Sequence, residues 1–106
     1  MKTITLNNIK YEIFTYYAVV IGYERNPSGS LVLPDKVEGV PVTEIGFGAF
    51  CGCSEFTGSL TIPSSVTAID SYAFARCSGF EKIEVPKNLK FSDSVFENCK
   101  AEVERY

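Results

Sequence analysis

Histidine is absent from the 106 residues. Its absence removes every catalytic triad or dyad built on an imidazole base, and every metal site that needs a histidine ligand. A basic surplus is absent as well: ten Lys and Arg stand against thirteen Asp and Glu, a net charge of -3. Such a balance carries no electrostatic footprint for nucleic acid or an anionic membrane, and neither is expected as a partner. No apolar run approaches the roughly 20 residues of a membrane-spanning helix, so membrane insertion is not expected either. Residues 1–8 hold one basic side chain with no apolar stretch behind it, which does not fit a secretory leader. Taken literally, the sequence predicts a cytoplasmic chain.

What the chain does have is repetition. Leu, Ile, Val and Phe make up about 29% of it, above the level of about 20% below which disorder is the usual outcome. The length allows one domain with a modest core. Leu31-Val32-Leu33-Pro34 leads to Val42-Thr43-Glu44-Ile45, then Ala49-Phe50 and Cys53. Leu60-Thr61-Ile62-Pro63 leads to Val66-Thr67-Ala68-Ile69, Ala73-Phe74 and Cys77. Ile83-Glu84-Val85-Pro86 leads to Leu89-Lys90-Phe91, Val95-Phe96 and Cys99. Phe50, Phe74 and Phe96 recur at intervals of 24 and 22 residues, as do Cys53, Cys77 and Cys99. The third copy is slightly short, and the first carries about five extra residues within 35–41, as end coils of an array are free to do.

A period of 22 to 24 falls within the range of about 20 to 29 residues found in leucine-rich repeats. Each apolar-x-apolar-Pro unit alternates with period 2 and reads as a short strand that proline ends. Residues 66–77 read as a second short strand and a single helical or 3-10 turn. One coil cannot bury its apolar side alone, whereas coils stacked with strands about 4.8 Å apart can. Before the repeats, Ile4-Thr5-Leu6 and Ile9-Lys10-Tyr11-Glu12-Ile13 flank Asn7-Asn8 as two strands of a hairpin. A third strand runs from Ala18 to Tyr23, and 25–30 is a loop by composition. This β-meander is expected to lie as a lid on the first coil, covering an open strand edge. Residues 101–106 are either a last strand beside Ile83-Glu84-Val85 or a frayed tail.

The predicted fold is thus a β-rich α/β solenoid of about three right-handed coils. It divides into an N-terminal β cap (1–30), repeats at 31–56, 57–80 and 81–100, and a C-terminal capping strand or tail (101–106).

The stretch from Leu60 to Cys77 and that from Gly39 to Phe50 resemble the BspA-type leucine-rich repeats of bacterial proteins. Ile9-Lys10-Tyr11-Glu12-Ile13 ahead of Leu31-Val32-Leu33-Pro34 is similar to the family's usual N-terminal lead-in. The resemblance covers 31–100 closely and 9–30 loosely, and it is specific for fold rather than for task. It implies an extracellular or surface-attached solenoid that engages proteins or surfaces, often as part of a long array. On location it therefore points outside the cell, against the literal reading.

Four cysteines offer chemistry. Cys53, Cys77 and Cys99 share one repeat position and are expected to stack as a column of reduced, buried thiols. A disulfide and a four-cysteine zinc site are the alternatives; zinc would need four thiolates converging, and only Cys51-Gly52-Cys53 is closely spaced. Glu84 and Glu102 would sit side by side if the tail pairs, but open to water, where carboxylates stay ionised and make poor general acids. Gly46-Phe47-Gly48 lacks the further residues of a phosphate-binding loop and reads as a turn. No catalytic residue, cofactor or metal is expected, and the chain is not read as an enzyme.

The candidate protein contacts are Val32, Thr61 and Glu84 on the outward side of the regular strands, and Tyr16, Tyr17 and Tyr23 on the lid. The strand face amounts to about 200–300 Å², against about 800 Å² per partner in a standard interface. The expected function is a non-catalytic leucine-rich-repeat module for protein–protein interaction, with surface adhesion as the form the resemblance implies. The alternative is a structural unit that associates weakly with itself, or a fragment of a longer array without its own ligand.

Overall fold

The computed structural model describes residues 1–24 and 28–106. Of the loop expected at 25–30, Arg25, Asn26 and Pro27 lie outside the described residues. Strands β1 (Lys2–Leu6) and β2 (Ile9–Ile13) pair antiparallel around Asn7 and Asn8. Both asparagines take positive φ, 50° and 67°, which a tight two-residue hairpin turn demands and asparagine tolerates. Strand β3 (Ala18–Tyr23) lies antiparallel on β2. Between β3 and the coils, β4 (Lys36–Val37) folds back on β5 (Val40–Ile45) around Glu38 and Gly39. The extra residues of the first copy are this hairpin. On its other side β5 runs parallel to β3, and β7 (Ala68–Ile69) pairs with it in parallel one coil later.

A second sheet holds β6 (Gly58–Thr61), β8 (Phe80–Val85) and β9 (Glu102–Arg105), all parallel. One core draws side chains from both sheets, including Leu60, Ile83 and Val85 from the second and Val42 and Ile45 from the first. An aromatic column runs along the coils: Phe50, Phe74 and Phe96 stack with centroids 5.2 and 5.7 Å apart and nearly parallel rings. Tyr23 of the meander stacks on Phe50 at 6.1 Å and closes the column at its early end. A second column, Phe56 on Phe80 at 5.7 Å, follows the same spacing of 24 residues.

Two expectations are corrected. The described residues contain no α-helix, only the 3-10 turn Asp93–Phe96, so the α/β description gives way to a β-rich solenoid of stacked coils. The cause lies in the backbone. Phe50 donates its N–H to the Ala73 carbonyl at 2.7 Å, Gly52 to Ala75 at 2.8 Å, Phe74 to Val95 at 2.9 Å and Arg76 to Glu97 at 2.7 Å. Groups that a helix would need for its own i to i−4 bonds are given to the next coil instead. Tyr72 and Arg76, at φ 60° and 61°, interrupt any helical run as well. The second correction concerns Leu31–Pro34, which joins no ladder. Leu31 and Leu33 are buried as the repeat demands. The β4–β5 hairpin, however, holds Asp35 against Val42, whose N–H reaches the Asp35 carbonyl at 2.8 Å.

Candidate functional site

Alternation along β6, β8 and β9 sends Leu60 and Ile83 into the core and Thr61, Lys82, Glu84, Glu102 and Glu104 toward the outer face. There, Thr61 Oγ1 donates to Glu84 Oε1 at 3.0 Å. Lys82 Nζ lies 2.8 Å from Glu104 Oε2 and 4.0 Å from Glu84 Oε2. The hydrogen bond to Glu104, reinforced by its charge, lifts the Lys82 ammonium above the usual lysine range. Exposed pairs of this kind order side chains more than they stabilise a fold. Three carboxylates against one ammonium leave the face acidic. The register also corrects one expectation: β9 sets Glu104, not Glu102, beside Glu84, and Glu102 beside Lys82.

The six residues expected to make contacts fall in three places. Thr61 and Glu84 are joined on the sheet face, and Val32, 77% exposed, lies beyond β6 on the unladdered segment. Tyr16 and Tyr17 occupy the turn between β2 and β3. Tyr16 is 83% exposed, while Tyr17 stacks on Phe14 at 4.7 Å. Tyr23 is half-buried and belongs to the aromatic column. A second exposed aromatic pair was invisible in the repeat pattern. Phe47 is 68% exposed and meets Tyr72 edge to face at 5.8 Å; its only signal was an aromatic placed between two glycines of a turn.

The cysteines are all free thiols, with Cys51 exposed, Cys53 and Cys77 buried and Cys99 half-buried. Two of them bond between coils: Cys77 Sγ donates to the Phe50 carbonyl at 3.0 Å, and Cys99 Sγ to the Cys77 carbonyl at 3.2 Å. A hydrogen bond with Cys53 pushes the Tyr23 phenol up to about 12. The Cys53 thiol is lowered, chiefly by its hydrogen bond with Cys77, and Cys77 is raised by the same bond and then by burial. Among the described residues no three Cys, Asp or Glu gather as a metal site would require, and no carboxylate is buried.

Two hollows adjoin the Leu31–Pro34 segment. A cleft of about 640 Å³ opens on one side, lined by Ile9, Tyr11, Leu31, Val37 and Phe56 among others. A groove of about 460 Å³ is lined by the segment and Asp35 together with Ser59, Thr61 and Pro63.

Comparison with known proteins bears on this architecture. Residues 29–104 match the family model described as BspA type Leucine rich repeat region (6 copies). A leucine-rich repeat protein of Bacteroides ovatus is similar at 29% identity and a TM-score of 0.80, over 96% of this chain and 28% of that one. The T. pallidum Leucine Rich Repeat protein (TpLRR) matches at 23% identity and a TM-score of 0.72, over 96% of this chain and 49% of that one. The chain therefore spans less than half the length of either. A leucine-rich repeat protein of Bacteroides capillosus is similar over 98% of both chains, at 22% identity and a TM-score of 0.73. The last two likenesses are of fold. No curated protein matches the sequence.

Proposed function

Because the chain belongs to the BspA-type leucine-rich repeat family, we propose that it is a non-catalytic module for protein contact, in which three right-handed coils hold a small acidic face in place. The observation that carries the reading is the outer side of β6, β8 and β9, where Thr61, Glu84, Lys82 and Glu104 are tied into one ordered network. Order lowers the entropy that binding would otherwise cost. Excess carboxylate charge suits a basic patch on a protein partner and steers its approach. Wet, exposed carboxylates support no general acid, which weighs against catalysis. The face alone is smaller than a standard interface, so Val32 and the tyrosines of the β2–β3 turn extend the contact, and adhesion at a surface is the setting the family implies.

A double charge reversal, Glu84→Lys with Glu104→Lys, tests this reading. Binders selected against the chain by display should lose affinity for the double variant by at least about tenfold, while its unfolding midpoint stays put. Selected binders indifferent to the reversal would overturn the assignment of the face. The second reading, self-association, is favoured by the free edge of β9, all of whose residues are exposed. Light scattering separates the two: a mass of 11.7 kDa at every concentration supports the contact module, and a mass that climbs with concentration supports the assembling unit.

A further inference from the structure

The groove between Leu31–Pro34 and β6 exposes a strand edge in the interior of the repeat stack. Ile62 donates its N–H to the Glu84 carbonyl at 2.8 Å, and Thr61 stands opposite Glu84 in the parallel register. Leu60 and Ile62 therefore turn their backbone groups toward β8, and alternation turns those of Ser59 and Thr61 toward the first coil. At the start of this edge the coils are joined: Thr57 gives its N–H to the Gly29 carbonyl at 2.9 Å. Farther on the bonds stop. Among the described residues, no backbone hydrogen bond connects Ser59 or Thr61 to Leu31–Pro34, and both residues line the groove.

From these facts we infer that the groove is a β-strand addition site for an extended, basic peptide segment of a protein partner. The free N–H and C=O groups of Ser59 and Thr61 select an extended backbone, because only a strand presents donors and acceptors at the same spacing. Val32 on one bank and Thr61 on the other are both β-branched and suit alternating β-branched neighbours on an added strand. Among the described residues, the one charged residue lining the groove is Asp35, and Glu84 lies just past Thr61. Lysine or arginine at the outward positions of the peptide meets a carboxylate on each side. The inference rests on the reading of the chain as a contact module and names the partner's chemistry.

Amide exchange followed by NMR supplies the test, with acetyl-Val-Lys-Val-Lys-Val-amide as probe. In the free protein the Ser59 and Thr61 amides should exchange far faster than those of Leu60 and Ile62. The probe should slow them and shift the Val32 signals. The counterpart with Glu in place of Lys should bind at least about tenfold more weakly, and a probe methylated on its backbone nitrogens should not bind. Thr61→Pro removes the edge donor and the Thr61 hydroxyl but leaves the backbone bonds to β8, and should abolish binding where Thr61→Val, which loses only the hydroxyl, does not; should the proline variant fail to fold, the methylated probe decides the same question. If Ser59 and Thr61 already exchange slowly without any probe, the first coil has closed on β6 and the inference falls. It falls equally if the methylated probe binds as well as its parent. Neither result touches the charge-reversal test of the acidic face, so the two ideas fail separately.

Discussion

Phe74 sits between Phe50 and Phe96 with no surface left to water. Truncating it leaves a hole that both neighbours line, so Phe74→Ala should cost about 3–5 kcal/mol, a large share of what a domain of this size possesses. Tyr16→Ala, at a fully hydrated site, should change stability by no more than about 0.5 kcal/mol; urea unfolding of the two variants makes the comparison. Tyr23 gives a second handle at this scale. Its phenol holds its proton up to about 12 in the fold, against an ordinary 10.0. Between those values the unfolded chain has released a proton that the folded chain retains, so stability falls as pH rises through that window. Tyr23→Phe keeps the ring on Phe50 and removes its titration, and should lessen that decline in denaturant midpoints measured between pH 10 and 12, leaving the part due to the raised Tyr11 and Tyr106 phenols. The repeat spacing of Phe74 was plain in the sequence because burial imposed it. The place of Tyr23 was not, since its stack on Phe50 joins residues 27 positions apart across a loop and belongs to no repeat.

Gly79 shows why the coil corners tolerate so little change. A Cβ built there would stand 2.0 Å from the Phe56 carbonyl oxygen and 2.7 Å from that of Ser54. Backbone must move to admit it, so Gly79→Ala should destabilise by at least about 2 kcal/mol and weaken the Phe56–Phe80 stack, which near-ultraviolet circular dichroism would register. At the last strand, Arg105 reaches the carbonyls of Pro86 at 3.3 Å, Lys87 at 3.2 Å and Leu89 at 2.6 Å, and lies over the Phe91 ring. Arg105→Met should cost about 1–2 kcal/mol and speed exchange of the Tyr106 amide, which bonds the Val85 carbonyl. The alternating residues at the end of the chain pointed to a strand, but not to its register. Every residue of β9 is exposed, and with neither side buried the pattern gives no preference between one pairing and its neighbour. The groove beside Leu31–Pro34 was equally hidden: the segment carries the same apolar-x-apolar-Pro pattern that forms a strand at Leu60–Pro63 and Ile83–Pro86, and the hairpin downstream decides against it.

For the molecule as a whole, the apolar spacing announced stacked coils and the core they share, while the acidic face followed once the strands were in order. The groove was out of reach of any pattern, being set by which backbone groups find partners. The bonds that replaced helices have one more effect. In the turns, Gly48, Phe50 and Gly52 point their N–H groups at Ser71, Ala73 and Ala75, and Phe74 and Arg76 at Val95 and Glu97, all in one direction. Ladder bonds in the sheets run both ways and largely cancel, but these peptide dipoles add. The stack therefore has an electrical sense, with its positive pole toward the later coils. Glu97, Glu102 and Glu104 belong to the last coil and its closing strand, the end where the backbone field favours negative charge.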